Sequence, residues 1–399
     1  MHKYDVAVPA PESSPRYSLY ELVLYAVKLG SLGFGGPVAL IGYMYRDLVE
    51  KRGWISESDY KEGIALAQLA PGPLAAQLAI YLGYVHYRIL GATLVGFAFV
   101  LPSFLMVIAL GWAYTLYGGL AWMQAVFYGV GASVIGIIAL SAYKLTRRTI
   151  GTDWLLWGIY LVVAVVTVIT ESENVLLFLT AGVLIWLVKN PPQIKWGRMT
   201  CVAGLTIVPV TTAASIVPVT KLGTLWTVFI FFAKAGAFVF GSGLAIVPFL
   251  YSGVVKEYHW LTDRQFLDAV AVAMITPGPV VITVGFIGFL VAGLSGAIIA
   301  ALGTFLPCYL FTIIPAPYFK KYGARPGIAA FVNGVTAAAI GTITGAVIVL
   351  GRRSIIDTTT ALLAVATVGL LWKGKSIPEP LVVLGAASIG LVVKYWIPQ

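Results

Sequence analysis

The sequence predicts an all-α polytopic membrane protein: two homologous repeats, by preference inverted, whose broken or re-entrant half-helices meet near the membrane midplane. Three observations carry this reading. The 399 residues are 59% hydrophobic and 11% charged, against roughly 25% charge in a soluble domain, and the mean hydropathy is +0.92. Residues 91–112, 121–143, 199–220 and 327–351 are uncharged, each long enough at about 1.5 Å per residue to cross roughly 30 Å of hydrocarbon. The chain also repeats itself, and each copy carries Pro-Gly-Pro inside apolar sequence, "QLAPGPLAAQ" and "MITPGPVVIT".

The chain opens on "MHKYDVAVPAPESSPRYS", polar and proline-rich, with no apolar core or small-residue cleavage site. Residues 1–17 therefore read as a short cytoplasmic tail and not as a signal peptide. A net charge of +10 would suggest nucleic acid in a soluble protein. Here Lys and Arg cluster in short loops, the positive-inside pattern of membrane topology, so no nucleic-acid partner is expected. Cys201 and Cys308 lie in apolar segments and read as buried free thiols. His2, His86 and His259 stand apart from any Cys or carboxylate at ligand spacing, so neither a metal site nor a cofactor is expected.

Shifted by 206 residues, "KLGSLGFGGPVALIG" (28–42) lies on "KAGAFVFGSGLAIVP" (234–248), pairing Lys28 with Lys234 and Gly35 with Gly241. Trp54 then meets Trp260, and the two Pro-Gly-Pro triplets coincide. One residue is lost after them. At a shift of 205, "GVGASVIG" (129–136) meets "GVTAAAIG" (334–341), and Arg147-Arg148 meets Arg352-Arg353. Chance likeness of apolar sequence would not place matches on Lys, Trp, Pro and Arg-Arg. The expected organisation is a first repeat over 18–198, a linking transmembrane helix over 199–223 and a second repeat over 224–399.

One linking crossing would turn the second repeat upside down. Basic loops at 144–148 and 189–198, with acidic "ESENV" (171–175) between them, alternate correctly if the basic loops are cytoplasmic. Inversion then places the five basic residues of "KKYGAR" (320–325) and "KGK" (373–375) inside and three, Arg352, Arg353 and Lys394, outside. A parallel duplication reverses that count, so inversion is preferred.

Within each repeat, Ser56 and Thr262 open capping patterns, Ser-x-x-Asp59 and Thr-x-x-Gln265, just after a Trp suited to the interface. Glu57 to Ala70 makes about 21 Å of helix, too short to span. Proline lacks the amide donor and clashes with the preceding turn, so these helices break at Pro71-Gly72-Pro73 and Pro277-Gly278-Pro279. Earlier breaks fall at Gly35, Gly36 and Pro37, and at Gly241, Ser242 and Gly243. Each break starts a half-helix whose first amides lack intrahelical partners and whose dipole end is positive. Four such starts converging near the midplane form an anion site of the kind that broken helices supply. Gln68, Gln77, Ser242, Thr276 and Thr283 add neutral donors, and Lys28 and Lys234 recur at one repeat position.

The bland alternatives are kinking or close packing by the Gly-Pro motifs and snorkelling of both lysines to the interface. An intramembrane enzyme is disfavoured. Almost every carboxylate is expected in a loop, at 47–62, 171–173 or 257–268, with no paired Asp, Ser/His or His/Glu set within the spans.

"FGGPVALIGYMYRDLVEKRGWISESDYKEGIALAQLAPGP" resembles the N-terminal signature of the chromate ion transporter family. "FGSGLAIVPFLYSGVVKEYHWLTDRQFLDAVAVAMITPGP" is similar to the matching C-terminal signature. Two homologous halves fit the long-chain, bidomain subgroup, and the likeness covers about residues 18 to 397. It implies export of chromate across the cytoplasmic membrane, with sulfate as an analogue and chromate resistance as the outcome. Sulfate or molybdate transport is the alternative, and a non-transport membrane role the other class. Expected partners are chromate, sulfate and the lipid bilayer, with a homodimer one arrangement open to the fold. The second half has Gly-Ser-Gly where the first has Gly-Gly-Pro, so the two starts are not expected to be chemically equivalent.

Overall fold

The computed structural model describes residues 17–33, 36–117, 121–170, 175–191, 221–238, 246–322, 325–373, 377 and 379–396. The linking segment 199–220 lies outside these, as do Cys201, Phe34, Gly35, Phe240, Gly241, Ser242 and Gly243. The described residues are helical and turn, with no strand among them. The first repeat holds α1 (Leu19–Leu32), α2 (Gly36–Met44), α3 (Glu57–Leu69), α4 (Leu74–Tyr117), α5 (Ala121–Thr149), α6 (Trp154–Thr170) and α7 (Val175–Lys189). The second holds α8 (Lys221–Phe238), α9 (Ile246–Tyr251), α10 (Asp263–Ile275), α11 (Thr283–Ile313), α12 (Ala316–Tyr322), α13 (Pro326–Ser354), α14 (Thr358–Lys373) and α15 (Glu379–Trp396). Wider π-type turns follow α2 at Tyr45–Lys51 and α9 at Ser252–Glu257.

The capping signals hold. Ser56 Oγ accepts from the Asp59 amide at 3.0 Å, and Thr262 and Gln265 close a reciprocal box. Both α3 and α10 run 13 residues, about 20 Å, and each ends at its Pro-Gly-Pro.

The chain does not continue forward there. Gly63 of α3 packs against Tyr81 and Leu78 of α4, so α3 and the start of α4 form an antiparallel hairpin with the triplet at its tip. A second reversal follows inside α4 at Arg88 (φ 51, ψ −140). Beyond it Gly91 lies against Gly83 and Gly96 against Ile80. The second repeat does the same: α11 reverses at Gly293 (φ 63, ψ −152), and Gly296 returns to Gly288. The 51 uncharged residues of 269–319 thus hold the end of α10, both arms of α11 and the start of α12.

The repeats interlock. Gly278 lies beside Ser103, Gly285 beside Phe104 and Val107, and Gly111 beside Phe289. The start of α11 therefore runs alongside the late part of α4 in the same direction, and the reversals at Arg88 and Gly293 sit at opposite ends of the molecule. The later helices exchange partners too. Gly129 of α5 meets Ala386 of α15, and Gly136 meets Ala364 of α14. Correspondingly, Gly334 of α13 meets Ala181 of α7, and Gly341 meets Tyr160 of α6. Glycine opposite a backbone carbonyl is the close approach on which packing in lipid depends, because apolar burial adds little there.

Candidate functional site

Both triplets are hairpin tips, and each tip packs on the other repeat. Gly278 (φ 96) donates its amide to the Gly33 carbonyl at 2.9 Å. A Cβ at Gly278 would collide with Ser103 Oγ, a hydroxyl that itself donates to the Gly30 carbonyl at 3.2 Å. Gly72 (φ 143) takes the equivalent place: a Cβ there would sit 3.0 Å from Cys308 Sγ. Ser103 and Cys308 are 205 residues apart, so the exchange is reciprocal. Positive φ at both tips, with no room for a side chain, is why glycine stands there.

Gln77 is fully buried at the first tip, and its Nε2 donates to the Pro71 carbonyl at 2.8 Å. Its Oε1 is buried without a partner, an orphan acceptor that costs free energy in a dry interior. Pro73 is buried with it, and Pro277, Gly278 and Pro279 are likewise buried. Thr276 and Thr283 are buried, but their hydroxyls donate to Val272 and Val280 carbonyls at 2.7 Å each. Those protons are committed to the backbone of the tip. Gln68, on α3, is exposed.

Pro37, in the first turn of α2, is half-buried, and Gly36 begins that helix. Lys28 and Lys234 are exposed and make no ion pair among the described residues. Lys28 lines a cavity. That cavity, about 430 Å³, is bounded by Tyr25, Lys28, Gly33, Arg46, Lys51 and Arg52, with Asp47. Its floor residue Gly33 is the one that accepts from Gly278, so a basic mouth stands over the tip of the opposite repeat. A second cavity, about 470 Å³, opens at the far end between Tyr128, Asp263, Arg264, Asp268, Arg353 and Lys394.

The expectation that the carboxylates lie in loops is corrected. Asp47 and Glu50 lie in the turn after α2; Glu57, Asp59 and Glu62 in α3; Asp263 and Asp268 in α10. The cause is that capping begins each helix at the Trp, so the acidic residues fall in its first two turns. Asp268 is 4% exposed and accepts from Tyr114 Oη at 2.7 Å. Sequence reasoning found Lys28 but missed Ser103, Gly30, Gly33 and the mouth cations Arg46, Lys51 and Arg52. The repeat shift pairs Gly30 with Gly236 and Ser103 with Cys308, a signal that could have found the first two.

Comparison with known proteins accords with this architecture. The chromate transporter family model matches residues 20–186 and again 226–391. The chain is 68% identical over 386 residues to the chromate transport protein of Cupriavidus metallidurans, covering 97% of this chain and 96% of that one. It is 64% identical over 385 residues to a probable chromate transport protein of Synechococcus elongatus, covering 96% and 97%. A chromate transport protein of Pseudomonas aeruginosa is 30% identical over 409 residues, covering 97% and 94%. No solved structure matches. Two matched repeats in a multi-pass membrane chain, with relatives alike over nearly their whole length, place this protein in the chromate transporter family.

Proposed function

We propose that this chain is a secondary transporter that exports chromate across the cytoplasmic membrane and so confers chromate resistance. The observation that carries the reading is the pair of interlocked Pro-Gly-Pro tips, each buried against the other repeat. Helices about 20 Å long that enter from opposite ends stop part-way through roughly 30 Å of hydrocarbon. Their tips then aim the starts of α4 and α11 at one region, the arrangement that serves an oxyanion. Gly35, Gly36, Pro37, Gly241, Ser242 and Gly243 belong to the same site in this reading, with Gln77 and the two triplets. A dianion leaving a negative-inside cell gains about 4.6 kcal/mol per 100 mV, from about 2.3 per charge, so export needs no cation. The named substrates of the relatives favour chromate over sulfate or molybdate.

The repeats are inverted in this proposal. The start of α4 runs antiparallel to its continuation, and that continuation runs with the start of α11. The equivalent segments of the two repeats therefore point in opposite directions. Charge supports the orientation. Arg52, Arg88, Lys144, Arg147 and Lys189 fall at the end bearing Trp54, and Lys256, Arg264, Arg352, Arg353 and Lys394 at the end bearing Trp260. With Arg46, Lys51 and Lys61, which flank Trp54 along the chain, the first end is the more basic one among the described residues, hence cytoplasmic.

Uptake of labelled chromate into inside-out vesicles, driven by an imposed interior-positive potential, tests the function. Uptake absent for chromate but present for sulfate or molybdate would reassign the substrate. Single cysteines at Thr149 and Ser354, in a chain lacking Cys201 and Cys308, should react with an impermeant thiol reagent from opposite sides. Labelling from one side would mean a parallel duplication.

A further inference from the structure

The mouth over Gly33 is lined by residues whose counterparts in the second repeat are of a different kind. At the 206-residue shift, Tyr25, Tyr43, Arg52 and Trp54 correspond to Phe231, Phe249, Tyr258 and Trp260. In the second repeat these four form a closed aromatic cluster. Phe231 stacks on Phe249 at 5.4 Å and meets Tyr258 and Trp260 edge-on at 5.6 and 5.7 Å, while Tyr258 stacks on Trp260 at 4.6 Å. Gly253 leaves room for the Phe231 ring, which any Cβ there would strike. In the first repeat the same frame carries charge: Arg52 lies over Trp54 at 4.4 Å and over Tyr25 at 5.5 Å, and Arg46 lies over Tyr43 at 5.3 Å. Asp47 stands where Gly253 stands, and Arg46 and Lys51 where the second repeat has Ser252 and Glu257.

We propose that Lys28, Arg46, Lys51 and Arg52 form an oxyanion vestibule: an outer recruiting site for tetrahedral dianions above the paired tips. Four cations face one carboxylate across the cavity. Asp47 is shared by Arg46 at 3.2 Å and Lys51 at 3.4 Å, while Lys28 and Arg52 make no ion pair among the described residues, and Arg52 feels the Glu21 carboxylate only at longer range. Tyr25 is 8% exposed, with its buried hydroxyl turned toward Asp47, and forms part of the cavity wall. A volume of about 430 Å³ admits an oxyanion with several waters, each taking about 30 Å³, so the site gathers hydrated ions and does not strip them. Clefts lined by one sign of charge raise local counter-ion concentration in this way. The four aromatic side chains at the equivalent positions of the second repeat carry no charge.

The role as an entry rests on the transport reading, so two measurements separate them. In chromate uptake by inside-out vesicles, R46Q/K51Q should raise apparent KM about three- to fivefold with Vmax within twofold. That is the scale expected for two charges several ångströms from a dianion in partly screened water. D47N should act in the opposite sense and lower KM, a result that a folding defect does not give. Raising inert salt from 20 to 200 mM should weaken the wild type more than R46Q/K51Q. An unchanged KM in both variants, or a fall in Vmax alone, overturns the vestibule. If the wild type moves no chromate, the transport reading fails, and equilibrium binding of chromate and sulfate to protein in detergent decides the vestibule. Binding weakened in R46Q/K51Q and strengthened in D47N upholds it, and equal binding by all three proteins rejects it.

Discussion

The two repeats keep the same backbone devices and differ in the side chains at their mouths. Both begin their re-entrant helix at a Ser or Thr cap, turn at a positive-φ glycine between prolines, and reverse at residues 205 apart, Arg88 and Gly293. Both press a glycine of the first helix onto the carbonyl of its neighbour: Gly30 on Phe99, Gly236 on Thr304. Yet the first mouth is an open basic cavity and the second an aromatic stack. Backbone geometry tolerates no substitution at these contacts, because a Cβ has nowhere to go. Mouth side chains face no such limit, so duplication can fix the frame while each end acquires its own chemistry. A symmetric scaffold thus carries unlike side chains at equivalent places, and the cavity at the far end is lined by other residues, Tyr128, Asp263, Arg264, Asp268, Arg353 and Lys394.

The largest expected effect is at the tips. Gly278→Ala must hold alanine at φ 96 with its Cβ driven into Ser103 Oγ. Backbone strain of about 1–3 kcal/mol and overpacking of similar size should together lower Tm in detergent by several degrees and abolish chromate uptake. Gly72→Ala meets the end of the Gln77 carboxamide at 2.7 Å and Cys308 Sγ at 3.0 Å, atoms freer to yield, so its loss should be smaller. S103A/G278A should regain part of the stability by removing the Oγ. Equal losses at Gly72 and Gly278, with no gain in the double variant, would show that the interlock is not what constrains the tips.

A middle-sized effect separates the lysines. Their shared repeat position predicts equal roles, but only Lys28 borders the mouth. Lys28→Gln should raise apparent KM for chromate about twofold, the share of one screened charge, and Lys234→Gln should leave it unchanged. Equal rises in both would return the lysines to a common central site and remove the asymmetry argued from the cavity.

How far this was legible in the sequence follows from the range of each interaction. Caps, short helices and Pro-Gly-Pro breaks are local events, written in neighbouring residues, and they appeared where expected. The duplication was legible because Lys, Trp, Pro and Arg-Arg coincide at a fixed shift. The return of each hairpin was not, since Arg88 carries no turn signal and its reversal is imposed by packing between Gly83 and Gly91. Nor was the exchange between repeats, which joins Gly278 to Gly33 across more than half the chain. Arg46, Lys51 and Arg52 looked like ordinary interfacial charge; only the cavity distinguishes them. Thr276 and Thr283 show the reverse error, since a hydroxyl in apolar helix bonds readily to its own preceding carbonyl.

The smallest expected effect lies at the outer reversals, where the comparison is of one backbone with two residues. Arg88 and Gly293 share nearly the same dihedrals, φ 51, ψ −140 and φ 63, ψ −152, a region close to that reserved for glycine. Arginine there holds strain of about 1–3 kcal/mol. Arg88→Gly releases it, but gives back about 0.5–1 kcal/mol through a freer unfolded chain and a similar amount from the guanidinium 5.7 Å over Tyr84. At the central values of these terms the balance is a gain of about 0.5 kcal/mol. Gly293→Ala runs the other way: a Cβ at Gly293 meets nothing within 4 Å, so its cost is backbone strain alone, a loss of about 1 kcal/mol after the unfolded-state gain. Paired thermal unfolding in one detergent at one scan rate would read both. Should Arg88→Gly destabilise as much as Gly293→Ala, the two reversals are not the same conformation, and the likeness of the repeats ends at the tips.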